Sequence, residues 1–160
     1  MKRILMVVLF CIMLAVMVVS IPDMAAAATA QAALTVSATV VSSCNVTGTT
    51  AVAFGNYDPT AAADNIAGAG SMTFRCTKGT SYKLWINGTR TMAGPVDSLP
   101  YLLFTDVPRT VTFPASAAAA TAVASTGNAP VTTNIYGRIV ALQNVGAGAY
   151  TNTLQASVDY

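Results

Sequence analysis

The side chains that could act as acids, bases or metal ligands are few in this sequence. It has six acidic residues, all of them aspartates, and no histidine. A general base would therefore have to be an aspartate or a lysine of lowered pKa, and no two aspartates are spaced as a carboxylate pair. Asp58 precedes one proline and Asp106 lies just before another, so both are predicted to accept hydrogen bonds within turns. We predict a protein that is not an enzyme and needs no metal or cofactor.

The first 30 residues have the layout of a secretory signal peptide. Two basic residues precede an uninterrupted apolar run over residues 4–19, and small, alanine-rich residues follow it. Cleavage is predicted after Ala28 or Ala30, which removes Cys11 from the mature chain. The run is slightly long for a signal peptide, and the alternative is an uncleaved membrane anchor. We therefore expect an exported protein.

The mature chain left by this cleavage is predicted to be one nearly neutral domain. Cleavage after Ala30 leaves 130 of the 160 residues, enough for one hydrophobic core and too few for two. Six basic side chains stand against five acidic ones, a net charge of +1 with no basic patch for nucleic acid. Two cysteines remain, Cys44 and Cys76, and such a pair in an exported chain is typical of a disulfide. The alternatives are two separate buried thiols or a metal site.

Apolar and polar residues alternate along several short stretches, which is the pattern of half-buried β-strands. The predicted apolar faces contain Met72, Phe74 and Cys76; Tyr82, Leu84 and Ile86; Val131, Ile135 and Ile139; and Tyr150, Leu154, Ala156, Val158 and Tyr160. Turn signals such as Asp-Pro, Lys-Gly and Asn-Gly separate these stretches, so we predict an all-β antiparallel sandwich. Residues 60–69 and 114–130 lack the alternation and are predicted to be loops.

A further alternating stretch, residues 32–41, opens the predicted mature chain. One side of it carries Leu34, Val36, Ala38 and Val40, and the other carries Thr35, Ser37 and Thr39. Since no strand precedes it, its sheet partner must come from elsewhere in the domain or from another molecule. At the other end, the last predicted strand runs to Tyr160 with no strand after it, and an exposed apolar edge needs a partner.

Four motifs carry a resemblance to a known family over nearly the whole mature chain. "VVSSCNV", "FGNYDP", "FRCTKGTSYKL" and "YGRIVALQNVGAGAYTNTLQASVDY" resemble the spore coat protein U domain, which is shared by subunits of archaic chaperone–usher pili. The resemblance implies an incomplete immunoglobulin-like antiparallel β-sandwich that lacks its last strand. It also implies that a periplasmic chaperone first fills the resulting groove, and that an outer-membrane usher replaces it with the N-terminal segment of another pilin subunit. Cys44 and Cys76 match the disulfide of the family.

Together, the resemblance and the pattern predict three parts of the chain. Residues 1–30 are the signal peptide, 31–42 an N-terminal donor strand, and 43–160 the pilin β-sandwich domain. The donor strand inserts Leu34, Val36, Ala38 and Val40 into a neighbouring subunit. The edge of the acceptor groove consists of Tyr150, Leu154, Ala156, Val158 and Tyr160. In the alternative, residues 32–41 are the first strand of their own sheet.

The predicted function is a structural subunit of a surface pilus, located at the cell surface and serving adhesion and biofilm formation. The alternative is a secreted spore- or cell-coat protein or a carbohydrate-binding β-sandwich module. Trp85 bears on this choice because it alternates with the core face of its strand, and an outward tryptophan can stack on a sugar or lie in a protein interface. Otherwise, it packs beneath a loop or against its own sheet.

Overall fold

The computed structural model describes residues 28–160, so most of the predicted signal peptide, with Cys11, lies outside the described residues. Within them, the secondary structure consists of strands, turns and loops, and no helix is present that could span a membrane. The strands are β1 (Cys44–Ala53), β2 (Ala69–Cys76), β3 (Ser81–Asn87), β4 (Thr91–Ala93), β5 (Ser98–Pro100), β6 (Leu102–Phe104), β7 (Val123–Ala124), β8 (Val131–Arg138) and β9 (Gln155–Asp159).

Two antiparallel sheets and a short hairpin make up the fold. The larger sheet has the strand order β1-β2-β8-β6, the smaller one has the order β7-β3-β9, and β4 pairs with β5. Every pairing between these strands is antiparallel. β1 and β9 each lie at the edge of a sheet. The arrangement confirms the predicted all-β antiparallel architecture.

The core lies between the sheets and follows the predicted alternation. Met72 and Phe74 of β2 are fully buried, as is Ile139 just after β8. Ile86 of β3 packs with Met72 and Ile135 in the same cluster, so side chains from both sheets meet in it. These positions are two or four residues apart in their strands because alternate side chains of a strand point to one face.

Two ends of the larger sheet serve as reference points. Cys44 lies opposite Cys76 at one end of the β1–β2 pair, and Ala53 lies opposite Ala69 at the other. The first is named the disulfide end and the second the mouth end. The sulfur atoms of Cys44 and Cys76 are bonded to each other, as predicted. The disulfide therefore joins the start of an edge strand to the end of its inner neighbour.

Removing the disulfide should destabilise the folded chain without changing its topology. The two cysteines are 32 residues apart, and on the chain-entropy account opening such a loop costs about 3–4 kcal/mol in the free energy of unfolding. We expect the Cys44→Ser/Cys76→Ser variant to unfold at a lower urea concentration than the oxidised chain. Both are measured in solutions dilute enough to keep the chain monomeric, with the fluorescence of the single tryptophan as the signal. Adding a reductant should lower the urea midpoint of the parent chain and leave that of the variant unchanged. Equal midpoints before reduction would contradict this prediction.

Three stretches differ from the predicted pattern. Residues 114–130 are not entirely a loop, because β7 forms within them and pairs with the start of β3. Their low complexity concealed a strand of only two residues. Val131 lies on the same predicted face as Ile135, but its side chain is 42% exposed because it begins β8 at the disulfide end. Strands β4, β5 and β6, each of three residues, are too short to produce an alternating pattern.

The predicted opening strand is not a strand in the described chain. Residues 28–43 have no regular secondary structure. Within the described chain, residues 28–38 and residues 39–160 belong to separate units, and the second contains both sheets. The predicted division at residues 42 and 43 stays a prediction.

Candidate functional site

A groove runs between β1 and the chain segment that leads into β9. Its first part has a volume of about 410 Å³. One wall is formed by residues 49–52 and Phe54, and the other by residues 150–154 and Ala156. Because β1 and β9 belong to different sheets, the groove separates the two sheets along one side of the sandwich.

The groove continues towards the mouth end. Its second part, about 670 Å³, lies between residues 52–57 and residues 145–150. The two parts share Val52, Phe54, Met92 and Tyr150, so they form one continuous channel. It extends from the middle of β1 to Tyr57 and Pro59, beyond the mouth end of that strand.

The groove has an apolar floor. Ile86, Leu103 and Ile135 belong to the buried core and also line the first part, and Leu99 and Ile139 do so in the second. No charged side chain lines either part. Such a surface suits an apolar chain segment, whereas a charged group placed there would lose its hydration without gaining a partner.

The two walls also offer unpaired backbone. β1 pairs with β2 on one side only, and β9 pairs with β3 on one side only. Where these edges line the groove, over residues 49–53 of β1 and at Ala156 of β9, their N–H and C=O groups can bind an added strand. A segment in the groove can thus bury apolar side chains and form main-chain hydrogen bonds at the same time.

Close contacts with glycine position the two aromatic wall residues. The Tyr150 ring lies against Gly94, where a Cβ atom would overlap the ring, and the Tyr150 hydroxyl donates to the carbonyl of Gly146 (2.7 Å). Phe54 similarly lies against Gly137, with 2.5 Å between its ring and a Cβ placed there. Both rings stand where they do because these glycines lack a side chain.

A polar cluster is built into the lining of the first part. Asn152 donates hydrogen bonds to the Tyr101 hydroxyl (2.8 Å) and to the carbonyl of Thr89 (2.6 Å). Burial raises the pKa of Tyr101 and lowers the pKa of the Arg90 guanidinium, which donates through Nη2 to the carbonyl of Ile86 (2.8 Å). The two hydrogen bonds from Asn152 hold this residue in the wall.

The predicted donor residues are exposed. Leu34, Val36 and Val40 have exposed fractions of 88%, 86% and 82%, and Ala38 is also exposed. Large apolar side chains in contact with water are costly, at about 25 cal/mol for each Å². A segment with this pattern would therefore gain free energy from a partner that covers it.

The predicted acceptor residues differ in position. Tyr150, Leu154 and Ala156 line the groove. Val158 lies further along β9, half buried and opposite Leu84 of β3. Tyr160 is 61% exposed and follows the end of β9. The wall formed by β1 was missed, because "GTTAVA" there has little alternation to mark it.

The residues considered for chemistry have structural roles. The carboxylate of Asp58 accepts hydrogen bonds from the backbone N–H and the hydroxyl of Thr60, and Asp106 binds Thr110 in the same way. These side-chain hydrogen bonds lower the pKa of both carboxyl groups. Within residues 28–160, no cluster of acidic or cysteine side chains has the arrangement of a metal site.

Trp85 lies on the face of β3 opposite the core. It is half buried, and its indole N–H is buried without a hydrogen-bond partner among the described residues. The indole ring is therefore less available for stacking on a sugar than it would be on a sheet face fully exposed to water. This favours the interpretation that Trp85 packs against its own domain.

Comparisons with known proteins support the fold. Residues 30–157 match the Spore Coat Protein U domain. Among solved structures, the chain is similar to one chain in the crystal structure of the CsuC-CsuE chaperone–tip adhesion subunit pre-assembly complex, from the archaic chaperone-usher Csu pili of Acinetobacter baumannii. The TM-score is 0.50 at 19% identity, and the match covers 76% of this chain and 40% of the other. No curated protein sequence matches significantly. The fold is thus the predicted immunoglobulin-like β-sandwich.

Proposed function

Because the chain belongs to the Spore Coat Protein U domain family, we propose that it is a structural subunit of a surface pilus and polymerises by donor-strand exchange. Its partners are other pilin subunits, a periplasmic chaperone and an outer-membrane usher. The subunit is exported through the periplasm and ends in a fimbria at the cell surface. There it serves adhesion and biofilm formation.

The observation that carries this proposal is the match between the groove and the N-terminal segment. The groove offers an apolar floor without charged lining residues, flanked by two unpaired strand edges. Residues 32–40 offer alternating apolar side chains that are exposed in the single chain. In the proposed fibre, each subunit supplies this segment to the groove of another copy, so both exposed apolar surfaces are covered.

The segment and the groove are both elongated. Nine residues of extended chain span roughly 30 Å. On the β1 side, the groove lining runs from residue 49 to Pro59, first along β1 to Ala53 and then along the loop that follows it. Because side chains alternate along a strand, Leu34 and Val36 would face the floor of the groove, while Thr35 and the other polar residues on the opposite face remain in water. The hydroxyl-bearing face can thus stay solvated after insertion.

A chaperone is proposed because the groove would be open before assembly. An uncovered groove with two free strand edges is a site for aggregation. The similar solved structure is described as a chaperone–subunit pre-assembly complex, which supports a partner of this kind here. The usher then exchanges the chaperone for the N-terminal segment of another subunit.

The proposal is tested by producing the mature chain alone and with a pilus chaperone. We expect the chain alone to aggregate, because the groove and its strand edges are uncovered, and the co-expressed chain to be recovered as a soluble complex. The outcome is read by size-exclusion chromatography and light scattering. A variant without the first ten mature residues cannot donate a strand and serves as a second test. If that variant is a soluble monomer that unfolds cooperatively by itself, the domain is complete and the coat-protein alternative is favoured.

A further inference from the structure

The chain becomes attached to its domain at Val41. The Val41 carbonyl accepts a hydrogen bond from the Thr77 hydroxyl (3.2 Å), and the Ser43 carbonyl accepts one from the backbone N–H of Thr77 (2.8 Å). A donor strand that ends at Val40 is thus followed at once by chain held against Thr77. When the strand is seated in another copy, the turn that contains Thr77 must lie at the end of that copy's groove.

The turn around Thr77 is basic. Arg75 and Lys78 flank it, and both side chains are exposed. Neither forms a salt bridge within residues 28–160. The donor subunit therefore brings two unpaired positive charges to the groove of the subunit that accepts it.

The mouth end of the groove carries two carboxylates. Asp58 lies between Tyr57 and Pro59, which line one wall, and the hydrogen bonds from Thr60 lower the pKa of its carboxyl group. Asp97 accepts a hydrogen bond from the backbone N–H of Gly146 on the other wall (2.8 Å). Both carboxylates are exposed, and neither has a salt-bridge partner among the described residues.

The two arginine side chains near this end have partners within their own domain. Arg138 pairs with Asp64 (3.7 Å). Arg109 donates to the backbone carbonyls of Gly137, Val107 and Ile66. Hydrogen bonds to carbonyls leave the charge of Arg109 in place. Of the groups named for this end, three carboxylates (Asp58, Asp64 and Asp97) therefore stand against two guanidinium groups, and an exposed carboxylate lies on each side of the groove.

The direction of the donor follows from these charges. If it leaves the groove at the mouth end, Arg75 and Lys78 of the donor copy meet Asp58 and Asp97 of the acceptor. If it leaves at the disulfide end, the same two cations meet Arg75, Lys78 and Lys83 of the acceptor, and the one carboxylate on the neighbouring strand there is Asp159, opposite Lys83. Juxtaposed like charges select against the second arrangement.

We infer that the basic turn at Arg75 and Lys78 of one subunit docks on the pair Asp58 and Asp97 at the groove mouth of the next copy. This inference rests on the proposed donor-strand function. It adds a contact between the two folded domains to the contact made by the inserted strand. The contact fixes the polarity of each joint, and it steers the incoming subunit before strand insertion begins.

Zero-length cross-linking tests the contact. Lys78 and Lys83 are the only lysines in residues 28–160, so a carbodiimide that joins amines to carboxylates has few products. Fibres are assembled from a mixture of subunits labelled with ¹⁴N and ¹⁵N, and cross-linked peptides are identified by mass spectrometry. We expect peptides of mixed isotope that join Lys78 to Asp58 or Asp97, present in fibres and absent from the chaperone complex. Lys78→Gln should remove them, and Lys83→Gln, the matched control, should leave them.

The outcomes separate the inference from the function it rests on. Fibres without a cross-link from Lys78 to either aspartate overturn the docking contact and leave donor-strand exchange intact. If chaperone complexes form no fibres at all, the proposed function fails and the contact fails with it. As a second measurement, Arg75→Gln/Lys78→Gln should slow assembly about tenfold at low salt, and the difference should vanish at high salt. Equal rates at low salt would show that these cations do not steer assembly.

Discussion

Subunits with Leu34→Asp or Val36→Asp are expected to form no fibres, although each should still be recovered with its chaperone. In the proposed fibre, these side chains are buried in the groove of another copy, where each contributes about 1.5–3 kcal/mol. An aspartate there also brings an unpaired charge into a groove that no charged side chain lines. Fibres are counted by electron microscopy on cells of equal expression, and the chaperone complex is measured by co-purification.

Thr35→Asp is the matched control for these variants, because it places the same charge on the face that remains in water. It should reduce fibre number only slightly. Normal fibres from Val36→Asp would refute the donor assignment. Loss of the chaperone complex together with the fibres would place residues 32–41 within their own domain, since the chaperone occupies the groove and not the donor segment.

A chain that carries its own donor strand should be a stable monomer. In this fusion, residues 31–41 are repeated after Tyr160 through a short turn, and the original N-terminal copy is deleted. β9 runs towards Tyr160, so the added segment returns along it in the antiparallel direction, towards the mouth end. Burial of its apolar face should add about 5 kcal/mol or more to the free energy of unfolding, given about 1.5–3 kcal/mol for each large side chain.

Differential scanning calorimetry of the fusion measures this gain. An added stability of about 5 kcal/mol corresponds to a rise in Tm of roughly 15–25 °C for a domain of this size. The control carries Leu34→Asp and Val36→Asp in the added copy, and it should behave like the chain with an empty groove. A fusion that aggregates as the unfused chain does, or the same Tm for both fusions, would contradict the complementarity of segment and groove.

The parts of the fold that were predictable from the sequence are those in which side-chain pattern and sheet geometry coincide. Met72 and Phe74 alternate with polar neighbours and are buried as expected. The disulfide followed from the export signal and the number of cysteines. In each case, residue types and their spacing along the chain were enough to make the prediction.

The rest depended on contacts between distant parts of the chain. The β1 wall of the groove is rich in threonine and small residues, and its role comes only from its place beside the chain that leads into β9. Two-residue β7 is held by its pairing with β3 rather than by its own sequence. Arg109 binds three carbonyls from separate segments, and nothing in its neighbours along the chain predicts those partners.

The disulfide has a mechanical consequence in a fibre joined by donor strands. Pulling on such a fibre loads each subunit where its donor segment enters the domain, next to Cys44. In the fibre, β1 pairs with β2 on one side and with an inserted donor strand on the other, so tension applied at its start would act on the strand that holds the neighbouring subunit. The bond to Cys76 passes the load directly into β2, which is paired with β1 on one side and β8 on the other. Force is then shared across an interior strand, whose hydrogen bonds must break together in shear.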